Sequence, residues 1–170
     1  MNPQNPLKGR GALQNPKNRF VSQDLGFDEI DDYKKSSKTE IINDSSQSIL
    51  SYNNSLDIPY NVGLNPYRGC EHGCSCCYAR PFHEFLGYSS GLNFETKIVI
   101  KENASKLLTK ELSSKKWKPQ LISLSGATDP YQPLEKDLKI TQNCLKVLAE
   151  FRNPVAIITK NKLVTRDIET

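Results

Sequence analysis

The hydrophobic positions after residue 59 form short apolar runs that alternate with stretches of helical spacing. Adjacent β-branched or aliphatic residues predict strands, and apolar residues recurring every three or four positions predict helices. In chain order these patterns predict a strand at 97–101, a helix at 102–114, a strand at 120–125, a helix from Thr141 to about Arg152 and a strand at 155–159. Strands and helices that alternate with short connections are typical of parallel βα units and indicate an α/β fold.

Local signals refine this prediction. Weaker apolar runs at 49–52 and 60–64 are further strand candidates. Thr141 is the predicted N-cap of the second helix. Cys144 lies on the apolar face of that helix, where a small core residue is expected.

Ligands of parallel α/β sheets bind beyond the carboxyl ends of the strands. We therefore expect functional residues in the loops that follow the predicted strands. These loops are a cysteine-rich segment after residue 64, the segment 126–135, and the chain from Lys160 onward.

The composition changes near residue 58. Residues 1–19 contain three Asn-Pro pairs, which favour turns, and 22–48 are rich in Asp, Lys, Ser and Asn without a sustained apolar period. We predict a polar, partly disordered N-terminal arm at 1–58 and a folded core at 59–170.

The composition also excludes some classes of protein. The 170 residues suit one domain, and no apolar run approaches the ~18 residues of a membrane-spanning helix. The N-terminus has no apolar segment of a secretory signal, so a cytoplasmic protein without membrane contact is predicted. The 23 Lys and Arg residues against 19 Asp and Glu give a net charge of +4, which permits contact with nucleic acid without arguing for it.

Four of the five cysteines lie within residues 70–77, here called the cysteine loop. Clustered cysteines indicate a metal or iron–sulfur site more than a disulfide framework. Cys70, Cys74 and Cys77 have the spacing C-x3-C-x2-C, so three thiolates could bind three irons of a 4Fe–4S cluster. Gly69 and Gly73 allow the positive φ values that wrapping requires. The fourth iron would remain open to a small chelating molecule.

Two other interpretations of the loop remain open on spacing alone. His72 and Cys76 could complete a tight zinc site. Cys74 and Cys77 could instead form a redox dithiol. With a cluster present, His72 is expected to donate a hydrogen bond to a cluster sulfur rather than to bind iron.

The flanks of the cysteine loop make the sequence recognisable. The chain resembles the radical S-adenosylmethionine superfamily, and within it the bacterial subgroup related to spore photoproduct lyase, often labelled "DNA repair photolyase". The resemblance extends over most of 8–20 and 57–170, and the matching segments are 8–13, the cysteine loop with its flanks at 65–81, 94–97, 128–133 and 158–160.

The resemblance implies a 4Fe–4S cluster on the three spaced cysteines and S-adenosylmethionine as second cofactor. Reductive cleavage would give a 5′-deoxyadenosyl radical that removes hydrogen from a substrate. Flavodoxin or ferredoxin is the implied reductant, and a nucleic-acid lesion is the candidate substrate. The implied cofactor-binding residues are Thr128, Lys160, Cys76 and Tyr78. Cys76 replaces the aromatic residue that the family has at this position.

The implied fold is a partial (β/α) barrel, of which the chain would form only the N-terminal half, with the extended arm before it. The family continues beyond the last residue of this chain, so a C-terminal truncation is expected. The alternative function is a non-catalytic zinc or iron–sulfur module, or an inactive remnant.

The predicted roles of several other residues are less specific. Gly126 stands where the lyase has its hydrogen-donor cysteine, so the lyase's own route is not expected here, and Tyr131 is a substitute candidate. Asp129 and Glu135 are candidates for ribose or substrate contact, or else turn and helix-start residues. His83 is predicted at a helix start or on the surface.

Overall fold

The computed structural model describes residues 9–21 and 38–170. Residues 1–8 and 22–37, which belong to the arm predicted to be partly disordered, lie outside these ranges. Lys8, the first residue of the segment 8–13 that carries the resemblance, lies outside them too. Contacts divide the chain into two compact units. The first comprises the described residues up to Ile42 together with Gly69–Ile98, and the second comprises Asn43–Arg68 with Val99–Thr170. This division does not coincide with the predicted boundary at residue 58.

The strands of the described part are short. They are β1 (Glu40–Asn43), β2 (Leu50–Tyr52), β3 (Val62–Leu64), β4 (Tyr67–Arg68), β5 (Lys97–Ile100), β6 (Ile122–Leu124) and β7 (Val155–Ile157). The helices are α1 (Leu92–Thr96), α2 (Ala104–Leu112), α3 (Glu135–Leu138), α4 (Ile140–Glu150) and the 3₁₀ helices Arg80–Leu86 and Lys162–Asp167. Each predicted strand and helix is therefore present, with boundaries shifted by a few residues.

A four-stranded sheet in the order β2-β3-β6-β7 belongs to the second unit. β3, β6 and β7 run parallel, with Val62 opposite Ile122 and Ile122 opposite Val155, while β2 is antiparallel to β3. Both faces of the two central strands are covered, because all their residues are buried. The expected parallel arrangement is confirmed for these three strands.

The identity of the first strand in the predicted parallel series was wrong. β5 lies in a separate three-stranded sheet of order β1-β5-β4, where Tyr67 pairs antiparallel with Ile100. The first strand of the parallel series is instead β3, one of the weaker candidates, which pairs with β6. An apolar run identifies a strand but carries no information about its partner. The fold is mixed α/β, and the partial barrel stays a prediction.

Helices α2 and α4 pack against each other through their apolar faces. The buried residues of these faces include Leu107, Leu108, Cys144 and Leu148. Cys144 is fully buried, which confirms its predicted place in the core, and burial raises the pKa of its thiol to about 12. No helix in the described part is long and apolar enough to span a membrane.

The predicted N-cap of α4 was wrong. The helix begins at Ile140, and Lys139 precedes it in the left-handed conformation at φ +55°. The Thr141 hydroxyl donates to the carbonyl of Pro130 at 2.6 Å. The carboxylate of Glu135 takes the capping role instead, accepting the N–H groups of Thr141 at 2.9 Å and Gln142 at 3.1 Å. Because this acceptor lies in the preceding helix, the N-cap pattern at the start of α4 does not reveal it.

Candidate functional site

The residue immediately before the cysteine loop, Gly69, is a glycine that no other residue could replace without movement of its neighbours. Gly69 has φ +81°, and a Cβ on it would lie 2.9 Å from the carbonyl oxygen of Phe94. The next residue, Cys70, donates its N–H to that same oxygen at 2.8 Å. Gly73 also has a positive φ, +64°. The predicted need for glycine at both positions is confirmed by their backbone angles.

The three spaced cysteines are more enclosed than Cys76. Cys70 is buried in an apolar cluster with Ala79 and Phe94, and the half-buried Cys77 packs against this cluster. Cys74 is also half-buried, whereas Cys76 is exposed. No disulfide joins cysteines of the described residues. Within 9–21 and 38–170, no three His, Cys, Asp or Glu side chains are arranged as a metal site.

Arg80 fixes the backbone of the loop at Cys74. Its Nε and Nη2 donate to the Cys74 carbonyl at 3.1 and 2.7 Å, and Nη1 donates to Gly91 at 3.1 Å. The guanidinium also forms an ion pair with Glu95 at 2.5 Å and lies 5.3 Å from the centre of the Phe94 ring. The Glu95 side chain is fully buried, so the charged partner compensates its desolvation.

The N-terminal segment contacts the same carboxylate. Gly11 and Ala12 donate their N–H groups to the two oxygens of Glu95 at 3.0 and 2.9 Å, and Arg10 donates to its backbone carbonyl at 2.6 Å. These three residues of the predicted polar arm therefore pack within the first unit. Sequence reasoning assigned no role to Arg80 or Glu95, although both stand in segments that carry the family resemblance, 65–81 and 94–97.

His83 was predicted at a helix start or on the surface, which was wrong for its side chain. It is 1% exposed and lies inside the 3₁₀ helix Arg80–Leu86. Its ring packs edge-on against Phe94, with 5.6 Å between ring centres. Tyr78 is exposed, as is Cys76, so both can be reached by a ligand. Their cofactor contacts and the role of His72 stay predictions.

In the second unit, the loops that follow β6 and β7 meet through Asp129. Its carboxylate accepts hydrogen bonds from the Thr159 hydroxyl at 2.6 Å and from the Lys160 N–H at 3.1 Å. It also accepts the N–H of Tyr131 at 2.8 Å. The predicted cofactor residues Thr128 and Lys160 are thus brought to one edge of the sheet, as parallel strands require. These contacts favour the turn role predicted for Asp129 over its alternative, contact with ribose or substrate.

Thr128 and Lys160 differ in accessibility. Thr128 is buried, and its hydroxyl accepts a hydrogen bond from the side chain of Gln132 at 3.3 Å. Lys160 is exposed, so its ammonium group can reach an anionic ligand. Its backbone is fixed by Asp129 independently of the side chain.

Glu135 and Tyr131 belong to a buried network instead of an open site. The fully buried Glu135 pairs with Arg166 at 2.8 Å and accepts a hydrogen bond from the hydroxyl of Tyr67. Burial, with Glu135 as a negative neighbour, raises the pKa of Tyr67. The hydroxyl of the buried Tyr131 donates to Asp167 at 3.1 Å. The contacts of Glu135 therefore favour a structural role at a helix start over contact with ribose or substrate.

Comparison with known proteins gives relatives but no family. An uncharacterized protein of Mycobacterium tuberculosis is 36% identical over 115 residues, which is 68% of this chain and 34% of the relative. An uncharacterized protein of Methanocaldococcus jannaschii is 36% identical over 107 residues, 62% of this chain and 38% of the relative. The chain thus spans about a third of the length of these curated relatives. No family model matches the sequence. No solved structure matches it either.

Proposed function

We propose that the cysteine loop binds a 4Fe–4S cluster through Cys70, Cys74 and Cys77, and that the protein is a radical S-adenosylmethionine enzyme. The observation that carries this proposal is the backbone of the loop. The Cys70 N–H bonds to the carbonyl of Phe94 in α1, and the Cys74 carbonyl accepts from Arg80, which pairs with Glu95 of the same helix. The loop held in this way carries three cysteines at C-x3-C-x2-C spacing.

The donor set fits the cluster chemically. Thiolates are the usual protein ligands of iron–sulfur clusters, and three of them leave one iron without a protein ligand. The positive φ of Gly69 and Gly73 lets the backbone turn around a bound group. The fit rests on the identity of the donors and on this backbone, since the thiols are not gathered as a ready chelate.

The cluster and S-adenosylmethionine together would supply a 5′-deoxyadenosyl radical for hydrogen abstraction. The chain's own residues would bind and orient the cofactor. The Lys160 ammonium group would pair with the carboxylate of the cofactor. The Thr128 hydroxyl would donate a hydrogen bond to the cofactor. The exposed Cys76 and Tyr78 would contact its adenosyl part. Flavodoxin or ferredoxin is the proposed reductant, a nucleic-acid lesion the proposed substrate, and the cytoplasm the proposed compartment.

Anaerobic reconstitution of the full chain with iron and sulfide tests the proposal. We expect a reduced protein with the EPR signal of a 4Fe–4S cluster, and a change in that signal when S-adenosylmethionine is added. Methionine and 5′-deoxyadenosine should then accumulate under reducing conditions. A cluster whose signal is insensitive to S-adenosylmethionine would refute the radical function and leave only the cluster.

A zinc module is the second candidate. His72 lies between Cys70 and Cys74 in the same loop, so a mixed Cys and His ligand set is within one short segment. Stoichiometric zinc in protein purified without added metal, together with no cluster after reconstitution, would favour this module over the enzyme.

A further inference from the structure

One short helix determines the placement of both ends of the segment 70–74. The Phe94 carbonyl in α1 accepts the N–H of Cys70 at 2.8 Å. The next residue, Glu95, pairs with Arg80 at 2.5 Å, and Arg80 donates twice to the carbonyl of Cys74, at 3.1 and 2.7 Å. Consecutive residues of α1 therefore contact the backbone at Cys70 directly and the backbone at Cys74 through Arg80.

The N-terminal segment 10–12 supports this arrangement from a second direction. Gly11 and Ala12 hold both oxygens of Glu95 through their N–H groups. A Cβ on Gly11 would lie 2.0 Å from the carbonyl oxygen of Gly73, so these two backbones are in direct contact. Gly73 lies between Cys70 and Cys74, and the segment therefore touches the loop between two of the proposed ligands.

We propose that Arg80 is a positioning residue for Cys74 in cluster binding, held in place by Glu95 and the segment 10–12. This inference rests on the proposed function. A guanidinium has donors in a rigid fork, which lets one side chain bind a carboxylate and a carbonyl at fixed angles. Groups that orient metal ligands in this way typically change metal affinity by about 10–100-fold when they are lost.

Arg80 also brings a positive charge to the backbone of a proposed ligand, where it balances the buried carboxylate of Glu95, so its removal makes the surroundings of the loop more negative. Reduction adds an electron to the cluster, and a nearby positive charge stabilises the more negative state. Loss of this charge should lower the midpoint potential, an effect that a purely structural role in the first unit would not produce.

The test compares four proteins after anaerobic reconstitution: the wild type, Arg80→Gln, Arg80→Lys and the control Arg19→Gln. Arg19 forms a 2.7 Å ion pair with Glu84 in the same unit, so the control removes another arginine that pairs with a buried glutamate. Iron retention against a chelator and the midpoint potential from an EPR-monitored titration are measured for each.

We expect Arg80→Gln to retain iron about 10–100-fold less tightly than the wild type and to have a more negative midpoint potential. Arg80→Lys should recover the potential but not the retention, because an ammonium group keeps the charge and loses the fork. Arg19→Gln should match the wild type in both measurements.

The outcomes separate this inference from the proposed function. No cluster in the wild type would refute both. A wild-type cluster with equal retention and potential in Arg80→Gln, Arg80→Lys and Arg19→Gln would refute the positioning role alone.

If Arg80→Gln does not fold, Arg80→Lys and Gly11→Ala decide. Gly11→Ala keeps every charge and presses a methyl group towards Gly73. Weakened retention in both would support the inference, and wild-type retention in both, with folding verified by circular dichroism, would overturn it.

Discussion

The Phe94 carbonyl accepts the Cys70 N–H at 2.8 Å, and the Phe94 side chain packs in the same apolar cluster as that cysteine. One residue thus holds a proposed cluster ligand through both its backbone and its ring. Because Phe94 is 2% exposed, its ring is an integral part of the packing beneath the loop.

Phe94→Ala should lower the free energy of unfolding by about 3–5 kcal/mol, because it removes a buried ring and leaves a cavity. Denaturant unfolding followed by circular dichroism measures this change. The matched control is Phe85→Ala, since Phe85 is 67% exposed and its loss should change the free energy by only about 0.5 kcal/mol. Equal effects of the two substitutions would contradict this account of the packing.

The proposed ligand set predicts a specific pattern of cluster loss. Alanine at Cys70, Cys74 or Cys77 should abolish cluster binding, since each substitution removes a thiolate that binds iron. Cys76→Ala should retain the cluster, because this exposed cysteine is not a proposed ligand. Iron and sulfide per chain after reconstitution provide the measurement. Loss of the cluster in Cys76→Ala with retention in Cys77→Ala would show that the ligands are wrongly assigned.

Lys160→Gln should weaken S-adenosylmethionine binding by about tenfold or more, as expected for the loss of a charge-assisted contact to a carboxylate. The Lys160 N–H to Asp129 bond does not involve the side chain, so the loop anchor remains in the variant. Lys162→Gln is the control, because it removes the same charge two residues away. Equilibrium dialysis with reconstituted protein gives both dissociation constants, and equal values would remove Lys160 from the cofactor site.

Much of the local structure could be predicted from the sequence. The runs at 97–101 and 120–125 form strands, and Cys144 is a core residue, because local apolar patterns report on burial. The pairing of β5 could not be obtained in this way, since it depends on residues far apart in the chain. The wrong N-cap at Thr141 has a different cause, because the acceptor is Glu135, which lies six residues earlier in the preceding helix and outside the positions that the N-cap pattern considers.

The candidate site shows a similar division. The spacing of the cysteines and the glycines at 69 and 73 are visible in the sequence, whereas the contacts that support the loop are not. Arg10 and Glu95 are separated by 85 positions, and Arg80 gives no local signal that it binds the Cys74 carbonyl. A polar N-terminal segment has the composition of a solvated tail even when its N–H groups bind a buried carboxylate.

The hydrogen-bonded carboxyl group of Asp167 should make the stability of the second unit depend on pH. Burial raises the pKa of Asp167, but hydrogen bonds from Arg166 at 2.7 Å and Gln142 at 2.6 Å outweigh burial and hold the pKa below its usual 3.8. Because this pKa is lower in the folded protein than in the unfolded chain, the carboxylate stabilises the fold at pH values above the pKa of the unfolded chain. This stabilisation is lost as the pH falls from that pKa through the lower pKa of the folded protein.

The melting temperature of the wild type should therefore fall on acidification from about pH 5 to about pH 2, and Asp167→Asn should flatten part of this dependence. The variant should also melt at a lower temperature near neutral pH, where the carboxylate would be ionised. Asp57→Asn, at an exposed position, is the control and should follow the wild type. Thermal melts at several pH values provide the measurement. If both variants keep the wild-type slope, the hydrogen bonds to Asp167 contribute nothing to acid sensitivity.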